Sequence, residues 1–110
     1  MPDSLGPFEQ AVLLTLIHLG ADAYGRSILT EVQRRLNRDV SAGAVYATLE
    51  RLETKGLVSS TLAPGTALRG GRARRYFVPT GAGVGALNDA RSATDSLWRG
   101  LAWPLKAGLR

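Results

Sequence analysis

The 110-residue chain predicts a mainly α fold with a small antiparallel β wing: a winged helix-turn-helix followed by a C-terminal dimerisation helix. Three observations predict it. Apolar residues recur at three- and four-residue steps in four separate stretches, each read as a helix. After the third stretch come two short alternating runs divided by a turn rich in glycine and arginine, the pattern of a hairpin. Only residues 39–41 connect the second and third helices, a spacing that suits a helix-turn-helix. The division expected is residues 1–80 as the DNA-binding unit and 81–110 as the dimerisation helix and tail.

Pro7 opens the first helix where a first-turn proline is tolerated, and FEQAVLLTLIHL continues to about Leu19, with Gly20 as the stop. Phe8, Val12, Leu16 and Leu19 form one apolar face, and Leu13, Leu14 and Ile17 widen it. A helix apolar on so many sides needs a second cover, and Phe8, Val12 and Leu16 are assigned to a subunit interface. The second helix spans residues 24–37, with Tyr24, Ile28, Val32 and Leu36 on its inner stripe. Ser41 offers an N-cap hydroxyl to the third helix, Val45, Leu49 and Leu52 face the core, and Lys55 and Gly56 close it.

The outward arc of this third helix holds Gly43, Ala47, Glu50, Arg51 and Thr54, with Tyr46 at its edge. Small residues near its start allow close approach to base edges in a major groove, and Tyr46 and Arg51 supply a hydroxyl and a guanidinium. Ser41, Ala42, Gly43, Tyr46, Ala47 and Arg51 are therefore the candidate reading residues. Glu50 and Glu53 oppose this assignment unless that half of the helix has left the groove, because carboxylates repel phosphates. The bland alternative makes Gly43 and Ala47 ordinary surface positions and Tyr46 an edge of the core.

Residues 57–61 and 73–78 read as the strands of the wing. Arg69, Arg72, Arg74 and Arg75 crowd its turn, and Gly70 and Gly71 let the tip bend. Arg69, Arg72 and Arg74 are assigned to DNA phosphates, which guanidinium meets in bidentate fashion. The last helix is expected over residues 83–102, capped by Thr80 with its glycines fraying the first turn. Its stripe of Val84, Leu87, Leu97, Trp98 and Leu101 has little domain left to cover and is assigned to a two-fold dimer.

The net charge of +5 conceals a gradient: residues 26–75 carry ten basic side chains against four acids, and the rest carry four against five. A basic middle suits a phosphate polymer. With no cysteine, disulfides and thiolate metal sites are excluded, and oligomerisation is left to extend a small core. His18, the single histidine, is expected to be partly buried and structural. No catalytic residue, cofactor or metal is assigned, because no nucleophile motif, metal motif or phosphate loop occurs. Gly81, Gly83 and Ala86 match a dinucleotide fingerprint, but no second strand and acidic residue follow to complete it. No apolar run is long enough to span a bilayer and no signal segment opens the chain, so no membrane association and a cytoplasmic location are expected.

LGPFEQAVLLTLIHLG, DAYGRSI, VSAGAVYATLERLETKGLV and GGRARRYFVPTGAG, in this order and spacing, resemble the PadR family of bacterial transcriptional regulators over residues 5–87. The resemblance implies a homodimer on a pseudo-palindromic operator in double-stranded DNA, usually acting as a repressor, with the first and last helices building the dimer. It also implies that a small aromatic effector can bind at the subunit interface, for which Trp98 is the nominee beside the simpler role of a dimer-core residue. A single C-terminal helix places the chain with the short members of the family, and Gly81 stands where proline is common. Two other functions share the fold: a winged helix that docks on proteins, and a carrier of aromatic ligands. Both predict no retention on duplex DNA at low salt.

Overall fold

The computed structural model describes residues 4–108, in which four helices and a two-stranded sheet follow one another. They are α1 (Pro7–Leu19), α2 (Gly25–Leu36), α3 (Ala42–Thr54), β1 (Val58–Ala63), β2 (Arg74–Pro79) and α4 (Gly81–Trp98). Single 3-10 turns occupy Gly20–Asp22 and Ala67–Arg69. Local chemistry sets most of these limits. Pro7 sits in the first turn of α1, Ser41 Oγ accepts from the Ala44 amide at 3.0 Å, and Thr80 Oγ1 accepts from the Gly83 amide at 3.1 Å. Asn37 ends α2 in the left-handed region at φ 52°, and the Gln33 side-chain amide donates to the Val40 carbonyl at 2.8 Å, fixing the turn into α3.

The core lies where α1, α2 and α3 meet over the base of the hairpin. Val12, Leu13, Leu16, Ile28, Val32, Val45, Leu49, Leu52 and Val58 are fully or almost fully buried there. β1 and β2 pair antiparallel with Val58 opposite Pro79 and Ala63 opposite Arg74. The outer edge of β2 is not bare: the Phe77 amide donates to the Ala23 carbonyl at 2.9 Å, and Tyr24 bridges Tyr76. The segment ahead of α2 thus protects that strand edge and anchors the wing to the helices.

Several sequence expectations change here. Val12, Leu16 and Leu87, assigned to a subunit interface, lie in the protomer's own core at 0, 1 and 8% exposure and offer no surface to a second chain. Phe8 is half-buried and packs against that same core. The exposed apolar side of α1 is instead Leu14 and Ile17, and His18 beside them is exposed. A helix apolar on all sides shows its period but not its phase, so the sequence did not separate the two faces.

α4 begins earlier and ends sooner than expected. Arg99 leaves the helical region at ψ 128° and Gly100 follows at φ 88°, so Leu101 stands beyond the helix. The first-turn glycines are not frayed. A Cβ on Gly83 would lie 2.2 Å from the Leu57 carbonyl oxygen, so only glycine allows α4 to approach the start of the sheet so closely. After Leu87 the helix leaves the domain, and residues 91–98 are all exposed. The radius of gyration, 16.6 Å, exceeds the roughly 13 Å of a compact chain of this length, and the long dimension reaches 61 Å.

Candidate nucleic-acid interface

Two turns of α3 face outward with almost no bulk. Gly43, Ala44 and Ala47 are exposed there, and a Cβ on Gly43 would meet nothing nearer than Ser41 Oγ at 4.0 Å. The inner face is held by Val45, Thr48, Leu49 and Leu52. Thr48 was not an expected core residue; its place one turn from Leu52 on the inner stripe is the signal that would have found it. Ser41 and Ala42 begin the helix at the same end, the Ser41 oxygen serving the helix as its cap.

Tyr46 is 48% exposed on the side of α3 that faces the wing. Its ring lies over Gly25, where a Cβ would come within 2.9 Å of Tyr46 Cε1 and Oη. The glycine after Tyr24 therefore makes room for the tyrosine hydroxyl to stand at the helix edge. Tyr24, Gly25, Arg26, Tyr46 and Arg72 to Arg75 surround one hollow of about 480 Å³ between α2, α3 and the wing.

Arg51 departs from its expected place. Its guanidinium turns towards α1, with Nε 3.4 Å from Glu9 Oε2 and Nη2 donating to Thr48 Oγ1 at 3.3 Å. Lys55 reaches the same carboxylate at 3.0 Å. Glu9, almost buried, also accepts the Gly6 amide at 3.0 Å, so one carboxylate ties the start of α1 to the end of α3. Burial pushes the Glu9 carboxyl up, but the Gly6 amide and the two cations outweigh it and hold the group below its ordinary value. Arg51 is thus drawn towards α1 while its side chain stays half exposed, and no local spacing signals a partner 42 residues away.

The wing arginines divide by what they touch. Arg69 donates to the Pro64 and Arg72 carbonyls and Arg72 Nε donates to the Arg69 carbonyl at 3.2 Å, so both brace the loop whose turn is made by Gly70 and Gly71 at φ 64° and 80°. Arg74 lies with its guanidinium carbon 3.7 Å from the centre of the Tyr24 ring, which in turn meets Tyr76 edge-on at 5.7 Å. This stack keeps a positive charge at the mouth of the hollow while fixing its position. Arg75, on the opposite face of β2, donates to Ser60 Oγ at 3.0 Å, and Ser60 donates to Glu53 Oε2 at 2.7 Å. Arg34 and Arg35 of α2 are both bound to Glu31. The two-residue spacing of Arg74 and Tyr76, which puts both on one face of β2 towards Tyr24, is the signal that would have suggested the stack.

At the other end of the molecule, Leu97 is 79% exposed and Trp98 37%, with Leu101 and Trp103 beyond them. A groove of about 440 Å³ runs between α1 and α4, lined by Leu5, Gln10, Ala86, Ala90 and Ala93. Trp98 is not among the residues lining it. No helix is long and apolar enough to cross a membrane, and no group of three metal-ligating side chains occurs, among the described residues.

Comparison with known proteins agrees with this geometry. Residues 13–89 match the transcriptional regulator PadR-like family. The transcriptional regulator Rv3488 of Mycobacterium tuberculosis is 40% identical over 91 residues, covering 81% of this chain and 80% of that protein. A PadR-like transcription factor from Bacteroides fragilis superposes with a TM-score of 0.69 at 27% identity over 82% of each chain. RosR of H. salinarum does so with a TM-score of 0.68 at 26% identity, covering 89% of this chain and 81% of that one. An outward helix face of small residues, a wing of arginines beside it and these likenesses together place the chain in the PadR-like family of DNA-binding winged-helix transcriptional regulators.

Proposed function

We propose that the protein is a homodimeric, sequence-specific repressor that occupies a pseudo-palindromic operator, with α3 in the major groove and the wing against the phosphate backbone. The observation that carries this reading is that Tyr46, at the edge of the bare α3 face, shares one hollow with the fixed cation of Arg74. Ser41, Ala42, Gly43, Tyr46 and Ala47 approach base edges. Arg74 offers its guanidinium edge to phosphate while its face stays on Tyr24, and Arg69 and Arg72 keep the loop in shape with N–H groups left for the backbone. Repression by occlusion needs only occupancy of the site.

The dimer is proposed to form through the exposed sides of α4 and α1. Leu14, Ile17, Val84, Leu97 and Trp98 are the large apolar groups these surfaces leave in water, and a two-fold arrangement covers them from both sides at once. Any planar aromatic effector held by Trp98 would need the second subunit to complete its site, because the surrounding turns of α4 leave it exposed to that side.

A gel-shift with the duplex upstream of the protein's own gene, beside a light-scattering mass, tests both parts. The expected result is a dimer whose affinity falls about a thousandfold or more between 50 and 200 mM salt, as roughly six or more neutralised phosphates require. Arg74→Ala is expected to weaken binding to all duplexes alike, whereas Tyr46→Phe changes the order of preference among them. No retention on any duplex at low salt overturns the reading, and a monomer on DNA overturns the dimer alone.

A further inference from the structure

On the outward side of α3, Gly43, Tyr46, Ala47 and Glu50 fall at positions i, i+3, i+4 and i+7. This is the spacing at which recognition helices of the helix-turn-helix class present side chains to bases. A helix about 10–12 Å across with its side chains fits a major groove about 12 Å wide. Gly43 and Ala47 have no polar side-chain atom, so Tyr46 and Glu50 carry whatever hydrogen bonding this stripe can do. Glu50 is exposed, and it makes no hydrogen bond or ion pair among the described residues. Its neighbours differ: Glu53 accepts from Ser60, Ser60 accepts from Arg75, and Arg51 is committed to Glu9. Glu53 and Arg75 are thus each engaged through the Ser60 hydroxyl, and the Glu50 carboxylate, at the rim of a hollow it shares with Tyr46, Arg75 and Phe77, is left exposed without a partner among the described residues.

We propose that Glu50 is a specificity-determining residue, its carboxylate accepting a hydrogen bond from the exocyclic N4 amino group of a cytosine in each half-site. The inference rests on the reading that α3 enters the major groove. An ionised carboxylate only accepts, and between two phosphate walls it repels its surroundings unless a donor is supplied. Guanine offers two acceptors in the groove and thymine one acceptor and a methyl, so both are rejected. Adenine has an amino donor, but its N7 acceptor lies next to it. Cytosine presents its N4 donor with no acceptor beside it on the same base, which makes it the edge that suits a lone carboxylate. Repulsion from the other edges makes Glu50 a filter against wrong sequences as well as a contact to the right one.

Selection of bound sites from a random duplex pool, with the intact wild-type chain and with Glu50→Gln and Glu50→Ala, tests the assignment. The substitutions fall on an exposed position without an internal partner. The wild type is expected to enrich cytosine at one position of each half-site by at least roughly fivefold over the next base. Glu50→Ala loses that preference at that position only, and Glu50→Gln moves it towards adenine, whose N6 and N7 match an amide. An unchanged motif in both variants overturns the inference, as does tighter binding to every sequence alike, the sign of a carboxylate that merely faces phosphate. A wild type that enriches no duplex overturns the groove reading along with it.

Discussion

α3 and α4 begin almost alike and are used in opposite ways. Each is capped by a hydroxyl, Ser41 or Thr80, and each opens on alternating alanine and glycine, AGA in one and GAG in the other. Gly43 of α3 looks into open space, whereas Gly83 of α4 is pressed against the Leu57 carbonyl. The far ends invert this relation. α3 ends tied to α1 through Lys55, Arg51 and Glu9, while the last turns of α4 hold only their own exposed Arg91–Asp95 pair. A run of small residues at a helix start therefore has two meanings: it clears space for something outside the molecule, or it admits a neighbouring backbone inside it. Only the packing of the rest of the chain decides which.

The same substitution on the two helices separates these meanings. Gly83→Ala sets a methyl against a backbone carbonyl that cannot swing aside, so α4 must move away from β1 and carry Leu87 out of the core. The expected loss is about 3 kcal/mol, at the upper end for overpacking, and a melting temperature lower by roughly 10–15 °C. Thermal unfolding followed by circular dichroism measures it. A melting temperature within about 2 °C of the wild type would show that the approach at Gly83 is not what sets α4 on the sheet.

The tie at the far end of α3 gives a smaller effect with a pH signature. A carboxyl whose pKa is lowered on folding stabilises the fold above its unfolded value, and that contribution disappears as pH falls through the folded value. For Glu9 the loss therefore lies below the ordinary 4.5. Glu9→Gln is expected to lower stability at neutral pH by about 1–2 kcal/mol, since the charge-assisted hydrogen bonds to Lys55 and Arg51 are weakened. The variant should also lose less stability than the wild type on acidification below that value. Urea unfolding at a series of pH values measures the difference, and parallel acid limbs in the two proteins would count against the tie.

Much of this architecture was legible from single residues. Pro7, Gly20, Ser41, Gly56 and Thr80 mark helix limits because each acts on the backbone next to it, and the hairpin was readable because glycines and alternating strands are local signals. Phase and partner choice were not legible. Leu14 and Ile17 have the same chemistry as Leu13 and Leu16, and only the docking of α2 and α3 settles which pair is buried. Arg51 and Arg74 likewise occupy sensible DNA-facing positions in the sequence, yet one is drawn to a carboxylate on α1 and the other to an aromatic ring ahead of α2. Long-range partners of charged side chains leave no periodic trace. The candidate site was thus legible as a surface, the outer side of α3 beside a basic wing, more than as a set of contacts.

The smallest expected effect on stability is the one that speaks most directly to that surface. Gly43→Ala adds a methyl in open space, within a helix, and removes backbone freedom from the unfolded chain, so the fold should gain about 0.5 kcal/mol. On α4 the same change is destabilising. If the bare start of α3 exists to let its backbone approach base edges, the added methyl stands in the way of that approach. Affinity for the selected duplex should then fall several-fold, about 1 kcal/mol, while the loose, salt-sensitive binding to unrelated duplexes stays as it was. Fluorescence anisotropy on the two kinds of duplex measures both quantities on one sample. A variant that is more stable and binds the selected site as well as the wild type would make Gly43 an ordinary surface glycine and move the reading edge of α3 towards Tyr46 and Glu50.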